Sequence, residues 1–302
     1  MRVAVLGPGG VGGLLAGLLA RHGNTVTCIA RDATAAVLRT DGITVRSDLF
    51  GSFTVPVGAD TTLTEPVDAC FVTAKATQLE SALDRVPRDV LRGALLVPFL
   101  NGVEHVETLR RRYPGALLAP ATIRVESTRS ATGVIAHTSP FAAIELAEPP
   151  DSAATVRQLA VHLQEAGLEV RLRDDEVAML WDKLVFLAPL ALLTTHADAD
   201  VGEVRRQRRE ELVAVVNEIA AVAGRLDVAI DAAAIVAAVD ALPEGMQSSM
   251  QRDATAGRPI ELEAIGGAVL RAAERCDVAV PVTARLVGDL RERSRAASTN
   301  GR

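Results

Sequence analysis

The stretch from Arg2 to Ala16 constrains this chain more than any other. Arg2–Leu6 is a short apolar run of the kind buried in a parallel sheet, and Gly7, Gly9 and Gly12 follow it on the spacing G-x-G-x-x-G. Glycine at the first position lets the chain turn sharply off a strand. At the second it lets backbone approach a pyrophosphate, and at the third it lets a helix pack closely on the sheet. Small residues then continue with helical character to Ala20. Such a helix offers unpaired N–H groups and a positive dipole end to phosphates. Between strand and helix, the loop reads as a dinucleotide cradle, with Gly7, Gly9, Gly10, Val11 and Gly12 presenting backbone to the ligand. A glycine-rich turn with no ligand is the alternative, and the strand–loop–helix context weighs against it.

Bulk properties narrow the setting. A chain of 302 residues exceeds one ordinary core, so two domains are expected. The formal net charge is −6 with no strongly basic block, which argues against nucleic acid as a partner. Cys28, Cys70 and Cys276 are isolated in or beside apolar segments. That pattern predicts free thiols in a reducing compartment, hence a cytoplasmic protein, and neither a disulfide framework nor a zinc site. Pro8 and the glycines interrupt the first apolar run, against a signal peptide. The run Leu184–Leu193 is short for a bilayer span and contains Pro189, so no membrane partner is expected.

Asn24–Ala30 reads as a second strand, followed at once by Arg31 and Asp32. An arginine at this place pairs with the 2′-phosphate of NADP, whereas an acidic residue would accept from the ribose of NAD. Arg31 comes first, which favours NADP. Asp32 or Thr34 is expected to cap a helix to Arg39. Short strands are expected over 42–45, 51–57, 67–73 and 95–100, with antiparallel strands over 117–126 and 133–146 closing the same sheet. Lys75 and Asn101 then fall just after the carboxyl ends of strands, the edge where open α/β sheets bind ligands. A solvated lysine and an Asn-Gly turn are their plain alternatives. After a helix over 153–166 and a strand over 169–172, only helices are expected. The reading is an α/β fold: a Rossmann-type dinucleotide-binding domain at 1–172, then an all-α domain at 173–302. Arg205, Arg206, Arg208 and Arg209 are interleaved with Glu203, Glu210 and Glu211 and read as a solvated helix face. His196, Asp198 and Asp200 lack further liganding partners, so no metal site is expected.

Three segments fit one family. They are Gly7–Gly12 with Ala30-Arg31; Leu180-Trp181-Asp182-Lys183-Leu184; and Ser248-Ser249-Met250-Gln251-Arg252-Asp253 with Gly257-Arg258-Pro259-Ile260-Glu261-Leu262-Glu263 and Ile265-Gly266-Gly267. Together they resemble the ketopantoate reductase (2-dehydropantoate 2-reductase) family across nearly the whole chain. The resemblance implies NADPH-dependent reduction of a 2-oxo acid, first ketopantoate to pantoate. It implies Lys183 as general acid, Glu261 holding substrate and lysine, and Ser249 on the substrate carboxylate. It also implies Lys75 and Asn101 at the nicotinamide and substrate end. The chemistry is independently sensible, because hydride addition builds charge on oxygen that a nearby ammonium stabilises and then protonates.

The chain also departs from that pattern. The family's asparagines four and eight residues after the lysine are Leu187 and Ala191 here, and the asparagine of its late Ile-Asn-Gly element is Gly266. Leu187 and Ala191 share the helix face of Lys183 and are expected to line the substrate end. They cannot hydrogen-bond a substrate hydroxyl, and Thr194 is the one nearby group that could. Pro189 is expected to kink the helix. A more apolar 2-oxo acid or ketone is therefore the second substrate reading. A non-catalytic NADP(H)-binding regulator is a rival of another class, with Lys183 and Glu261 against it. A general β-hydroxyacid dehydrogenase is disfavoured by the Ser-Ser-Met…Glu element. A homodimer is allowed by the sequence but not required.

Overall fold

Strand β1 (Arg2–Leu6) is apolar from Val3 to Leu6 and lies inside a six-stranded sheet, with β2 (Thr25–Ile29) on one side and β6 (Ala69–Val72) on the other. The structure is a computed structural model that describes Met1–Asn300, with side chains to residue 296. Beyond β2 comes β5 (Gly58–Asp60); beyond β6 come β7 (Leu95–Pro98) and β8 (Leu117–Leu118). Every pairing in this sheet is parallel. Taken in chain order its strands lie 3-2-1-4-5-6, the doubly wound order whose switch point falls between β1 and β6. The helices α1 (Gly10–Arg21), α2 (Asp32–Asp41), α3 (Leu79–Leu83) and α4 (His105–Arg112) fall between these strands, except that a loop alone joins β5 to β6.

The later strands do not close this sheet as antiparallel members, as the alternation over 117–126 and 133–146 predicts. Only the two residues of β8 join it, and in parallel. β10 (Ser127–Ala131) and β11 (Val134–His137) instead pair with β3 (Ile43–Ser47) and β4 (Phe53–Val55) in a four-stranded sheet. β9 (Ala121–Arg124), β12 (Ala143–Ala147) and β13 (Glu169–Arg173) make a three-stranded one, before and after α5 (Ala153–Glu165). Period-two patterning reports that a strand has one buried face, not which sheet it joins.

The four-stranded sheet exists because α1 is nearly bare on one side. A Cβ on Gly10 would stand 2.2 Å from the Ser127 carbonyl oxygen, one on Gly13 2.4 Å from Ile135 Cδ1, and one on Gly17 2.8 Å from Val45 Cγ2. Glycines at spacings of three and four share a helix face, so β3, β10 and β11 sit directly on the backbone of α1. The Ser127 hydroxyl adds a 2.8 Å bond to the Gly10 carbonyl.

From α6 (Glu176–Ala197) onward the chain is helical: α7 (Val201–Gln207), α8 (Arg209–Gly224), α9 (Ala232–Asp240), α10 (Ser249–Thr255), a π-helical turn Glu263–Gly267, α11 (Ala268–Cys276) and α12 (Pro281–Asn300). Two compact units result: Met1–Leu100 with His105–Met179, and Asn101–Glu104 with the chain from Leu180 on. The division falls one turn inside α6 rather than at 172/173, and the four residues 101–104 group with the helices. α6 continues through Pro189 for 22 residues, longer than the run Leu184–Leu193 implies, and a window of it reaches a mean hydropathy of 1.7. Since 67% of that window is buried, it reads as a core helix. α8 buries Leu212, Val215, Val216, Ile219 and Val222. Its Glu218 caps α12, accepting from the Val282 and Thr283 amides and the Thr283 hydroxyl.

The arginine cluster is spent internally. Arg205 donates to carbonyls at the C-terminus of α9, Arg209 forks onto Asp240, Arg208 meets Glu211 and His196, and Arg206 meets Glu244. Burial pushes the Cys28 and Cys70 thiols up to about 12, which leaves them inert, and all three cysteines are free thiols.

Two glycine replacements in helices should have opposite signs. Gly288 lies in α12, where a Cβ would meet nothing within 4 Å, so Gly288→Ala should stabilise by about 0.5–1 kcal/mol. Gly10→Ala must push backbone aside and should destabilise by roughly 1–3 kcal/mol despite the same propensity gain. Urea unfolding of both variants checks the pair.

Candidate active site

The glycine turn after β1 is under close packing. Gly7 has φ +86°, and a Cβ there would lie 2.9 Å from the Ala74 amide nitrogen. The Thr73 hydroxyl, at the end of β6, donates to the carbonyls of Leu6 (3.0 Å) and Gly7 (2.8 Å). A Cβ on Gly12 would stand 2.2 Å from that same hydroxyl oxygen. Gly7, Gly10 and Gly12 are thus each demanded by the chain itself. Gly9 is different. It is the N-cap of α1, and its nearest Cβ neighbour would be the Gly7 carbonyl oxygen at 3.9 Å, an ordinary contact. The space a Gly9 side chain would fill lies at the start of a helix, beside the sheet's switch point. That opening fits a dinucleotide pyrophosphate approaching backbone. Val11, next in the first turn, is half-buried.

Lys75 is exposed and follows Ala74, the residue packed on Gly7, so it belongs to the same switch point. Arg31 is exposed and is the N-cap of α2, with no side-chain capping bond; Asp32 sits inside the first turn rather than capping it. Among the described residues its guanidinium makes no hydrogen bond or ion pair. A lone cation at a helix N-terminus opposes the dipole, and a phosphate placed there would satisfy both. The turn before Arg31 is stapled by Arg85, whose Nη1 donates to the carbonyls of Ala30 (3.4 Å) and Thr61 (2.9 Å).

The helical unit holds the other residues. Lys183 is half-buried on α6 between buried Trp181 and Leu184. One turn on, Leu187 is half-buried, while Ala191 is only 1% exposed. Thr194 is fully buried, and its hydroxyl is shared between the Leu190 carbonyl and Ser248 Oγ, both at 2.8 Å. Ser248 caps α10 by accepting from the Gln251 amide, which leaves Ser249 exposed in the first turn. Glu261 is 7% exposed, and its Oε2 accepts from Asn101 Nδ2 at 3.2 Å. Asn101 and Glu261 are therefore brought together across 160 residues of sequence. At Gly266 a Cβ would meet Val287 Cγ2 at 2.5 Å and Leu192 Cδ2 at 3.0 Å, so methyl groups occupy the place a side chain would take.

Among the described residues no group of three His, Cys, Asp or Glu is arranged for a metal. His196 lies between Arg208 and Asp289, and Asp200 caps α7.

The family described as "Ketopantoate reductase PanE/ApbA" matches residues 3–151, and its C-terminal counterpart matches residues 176–294. The chain belongs to the ketopantoate reductase family. As a member it is an oxidoreductase. It is 26% identical over 296 residues to the uncharacterised oxidoreductase YkpB of Bacillus subtilis, covering 96% of this chain and 98% of that protein. It is 29% identical over 295 residues to the 2-dehydropantoate 2-reductase of Mycobacterium tuberculosis, covering 94% and 95%. A D-mandelate dehydrogenase solved with NADH and anilino(oxo)acetate has the same fold, at TM-score 0.88, 21% identity and coverage of 99% and 100%. Thr73, Ser127 and Arg85 have no motif to mark them. The Gly10, Gly13, Gly17 spacing is the available signal for the sheet against α1.

Gly9→Ala separates ligand from fold. It should leave the melting temperature within about 2 °C, because its Cβ clashes with nothing, while weakening the dinucleotide by about tenfold or more. Calorimetric titration beside thermal unfolding makes the test.

Proposed function

We propose that this reductase converts a 2-oxo acid to the 2-hydroxy acid with NADPH, with Lys183 as the general acid. The Asn101–Glu261 contact carries the reading: a buried carboxylate is held by an amide in the unit that bears the half-buried Lys183. When bound, the nicotinamide supplies the hydride that adds to the carbonyl carbon. Lys183 stabilises the negative charge growing on the ketone oxygen and then gives that oxygen its proton. Leu187, one turn along the same face of α6, lowers the polarity there, which strengthens the ammonium's hold on the charge. Glu261 and Asn101 orient the lysine and substrate, and the Ser249 hydroxyl donates to the substrate carboxylate. Lys75 serves the nicotinamide end, and the guanidinium of Arg31 takes the 2′-phosphate. A cytoplasmic enzyme, with a homodimer as its assembly, completes the reading.

For the substrate, the residues on and behind the Lys183 face of α6 favour an apolar 2-oxo acid over ketopantoate, although Ala191 is packed into the interior rather than lining the substrate end as the sequence suggests. Leu187 and Ala191 offer no hydrogen bond, the place of a side chain at Gly266 is closed by Val287 and Leu192, and the Thr194 hydroxyl is already engaged. The anilino(oxo)acetate of the D-mandelate dehydrogenase complex supports the same direction. A pantoate hydroxyl left without a partner would cost about 1–3 kcal/mol.

Steady-state kinetics on ketopantoate and 2-oxoisovalerate should show the second reduced at least as well as the first. Lys183→Ala should lower turnover on the better substrate by about 10²-fold or more, with NADPH affinity and melting temperature little changed. Unchanged turnover would leave Lys183 a bystander, and no turnover on any 2-oxo acid would favour a binding protein. Calorimetry of both cofactors should show NADPH bound more tightly than NADH. Arg31→Ala should remove most of that difference, a charge-assisted contact worth about 1.5–3 kcal/mol.

A further inference from the structure

Asn101 sits in no regular element. It opens a four-residue turn, Asn101–Glu104, between β7 and α4, and that turn groups with the helical unit. Something must hold it there if its amide is to stay on Glu261. Two contacts do. The first is steric: Gly102 has φ +83°, and a Cβ on it would stand 2.1 Å from the Ala264 carbonyl oxygen, so the turn lies flat on the π-helical segment. The second is an arginine fork. Arg271, from α11, donates through Nε to Glu104 Oε1 at 2.8 Å and through Nη2 to Glu104 Oε2 at 2.6 Å. The same Nη2 reaches the Glu263 carbonyl at 2.7 Å, inside the π-helical turn.

The seat of this fork is itself fixed. Arg291 grips the Glu263 carboxylate through two bonds, at 2.7 and 2.8 Å, and Arg271 Nη1 adds a third at 3.3 Å. A Cβ on Gly267 would collide with that carboxylate at 2.4 Å and with Arg271 Nη1 at 3.0 Å, so the glycine is what lets both lie on the helix. The bond to Arg291 holds the Glu263 carboxyl below its ordinary range, and the bond to Glu104 raises the Arg271 guanidinium. Glu261 lies two residues before this turn. The π-helical segment thus carries the carboxylate at one end and the anchor for its amide partner at the other.

We propose that Arg271 is a positioning residue for the reduction proposed above, on which this inference rests: by tying Glu104 to the Glu263 turn it keeps the Asn101 amide on the Glu261 carboxylate. Arg271 is 39% exposed. Its ion pairs therefore add little to global stability, and the geometry of the fork is what matters. Lysine keeps the charge but has no planar fork to span two carboxylate oxygens and a carbonyl.

The chain has only four asparagines, Asn24, Asn101, Asn217 and Asn300, so the side-chain amides of the full-length protein labelled with 15N-asparagine are easily assigned by Asn101→Asp. Glu261→Gln should move the Asn101 pair. Arg271→Gln and Gly102→Ala should each move it towards that same position, Arg271→Lys should move it less, and the Asn24 and Asn217 signals should stay put. An Asn101 pair unmoved in Arg271→Gln and Gly102→Ala overturns the proposal. In kinetics, Arg271→Gln should lower kcat/KM by about tenfold to a hundredfold, the scale of a misplaced active-site group. In an Asn101→Ala background it should change kcat/KM less than twofold. Independent, multiplicative losses would mean that Arg271 does not act through Asn101, and also overturn the proposal. A wild-type chain that reduces no 2-oxo acid counts against the function proposed above, while the amide spectrum still decides whether Arg271 holds the turn.

Discussion

The first unit depends on one hydroxyl and the absence of two side chains. Thr73 reaches from the end of β6 to the carbonyls of Leu6 and Gly7, and it can do so because Gly7 and Gly12 carry no Cβ. That contact closes the gap between two neighbouring parallel strands where the chain leaves them in opposite directions. It sets where α1 begins, and therefore where its free N–H groups point. The cradle that the turn presents to a phosphate is a product of the packing beneath it.

In the helical unit, a π-helical turn organises the site. Glu261 stands before it, Gly102 packs on its Ala264 carbonyl, and Glu263 within it collects Arg271 and Arg291. A π turn holds an extra residue against a regular helix and shifts the register of the residues beyond it. Here the widened backbone exposes a carbonyl to a guanidinium and leaves a flat surface for a glycine. The segment seated on it has no secondary structure of its own.

The fold is legible in the sequence where its signals are local. β1, α1 and the change to all-helix after β13 are written in short-range periodicity and in glycine spacing. Where each later strand pairs is not written there. Alternation over 117–126 and 133–146 suggests further strands of the main sheet, yet β11 belongs to a second sheet packed on the glycine face of α1, and its partner β10 falls between the two alternating runs. The candidate site is legible in part, Glu261 through the late family segment and Asn101 through its place after a strand. Their direct contact, and the Glu104–Arg271 tie behind it, join positions 160 and 167 residues apart. No periodicity reports a pairing at that range. The Thr194 hydroxyl looks available in the sequence because its partner Ser248 lies on another helix.

Gly266 carries a consequence for how such a site changes over time. Val287 and Leu192 fill the space that a side chain at this position would need, with Val287 2.5 Å from the missing Cβ. An asparagine at this position would arrive in an occupied volume and be penalised before it could offer a hydrogen bond. Trimming Val287 first would open a void in a packed interior, itself a destabilising step. Each single step is uphill, so the two positions are locked together. The order of substitutions, rather than their sum, decides whether a polar side chain can be introduced here.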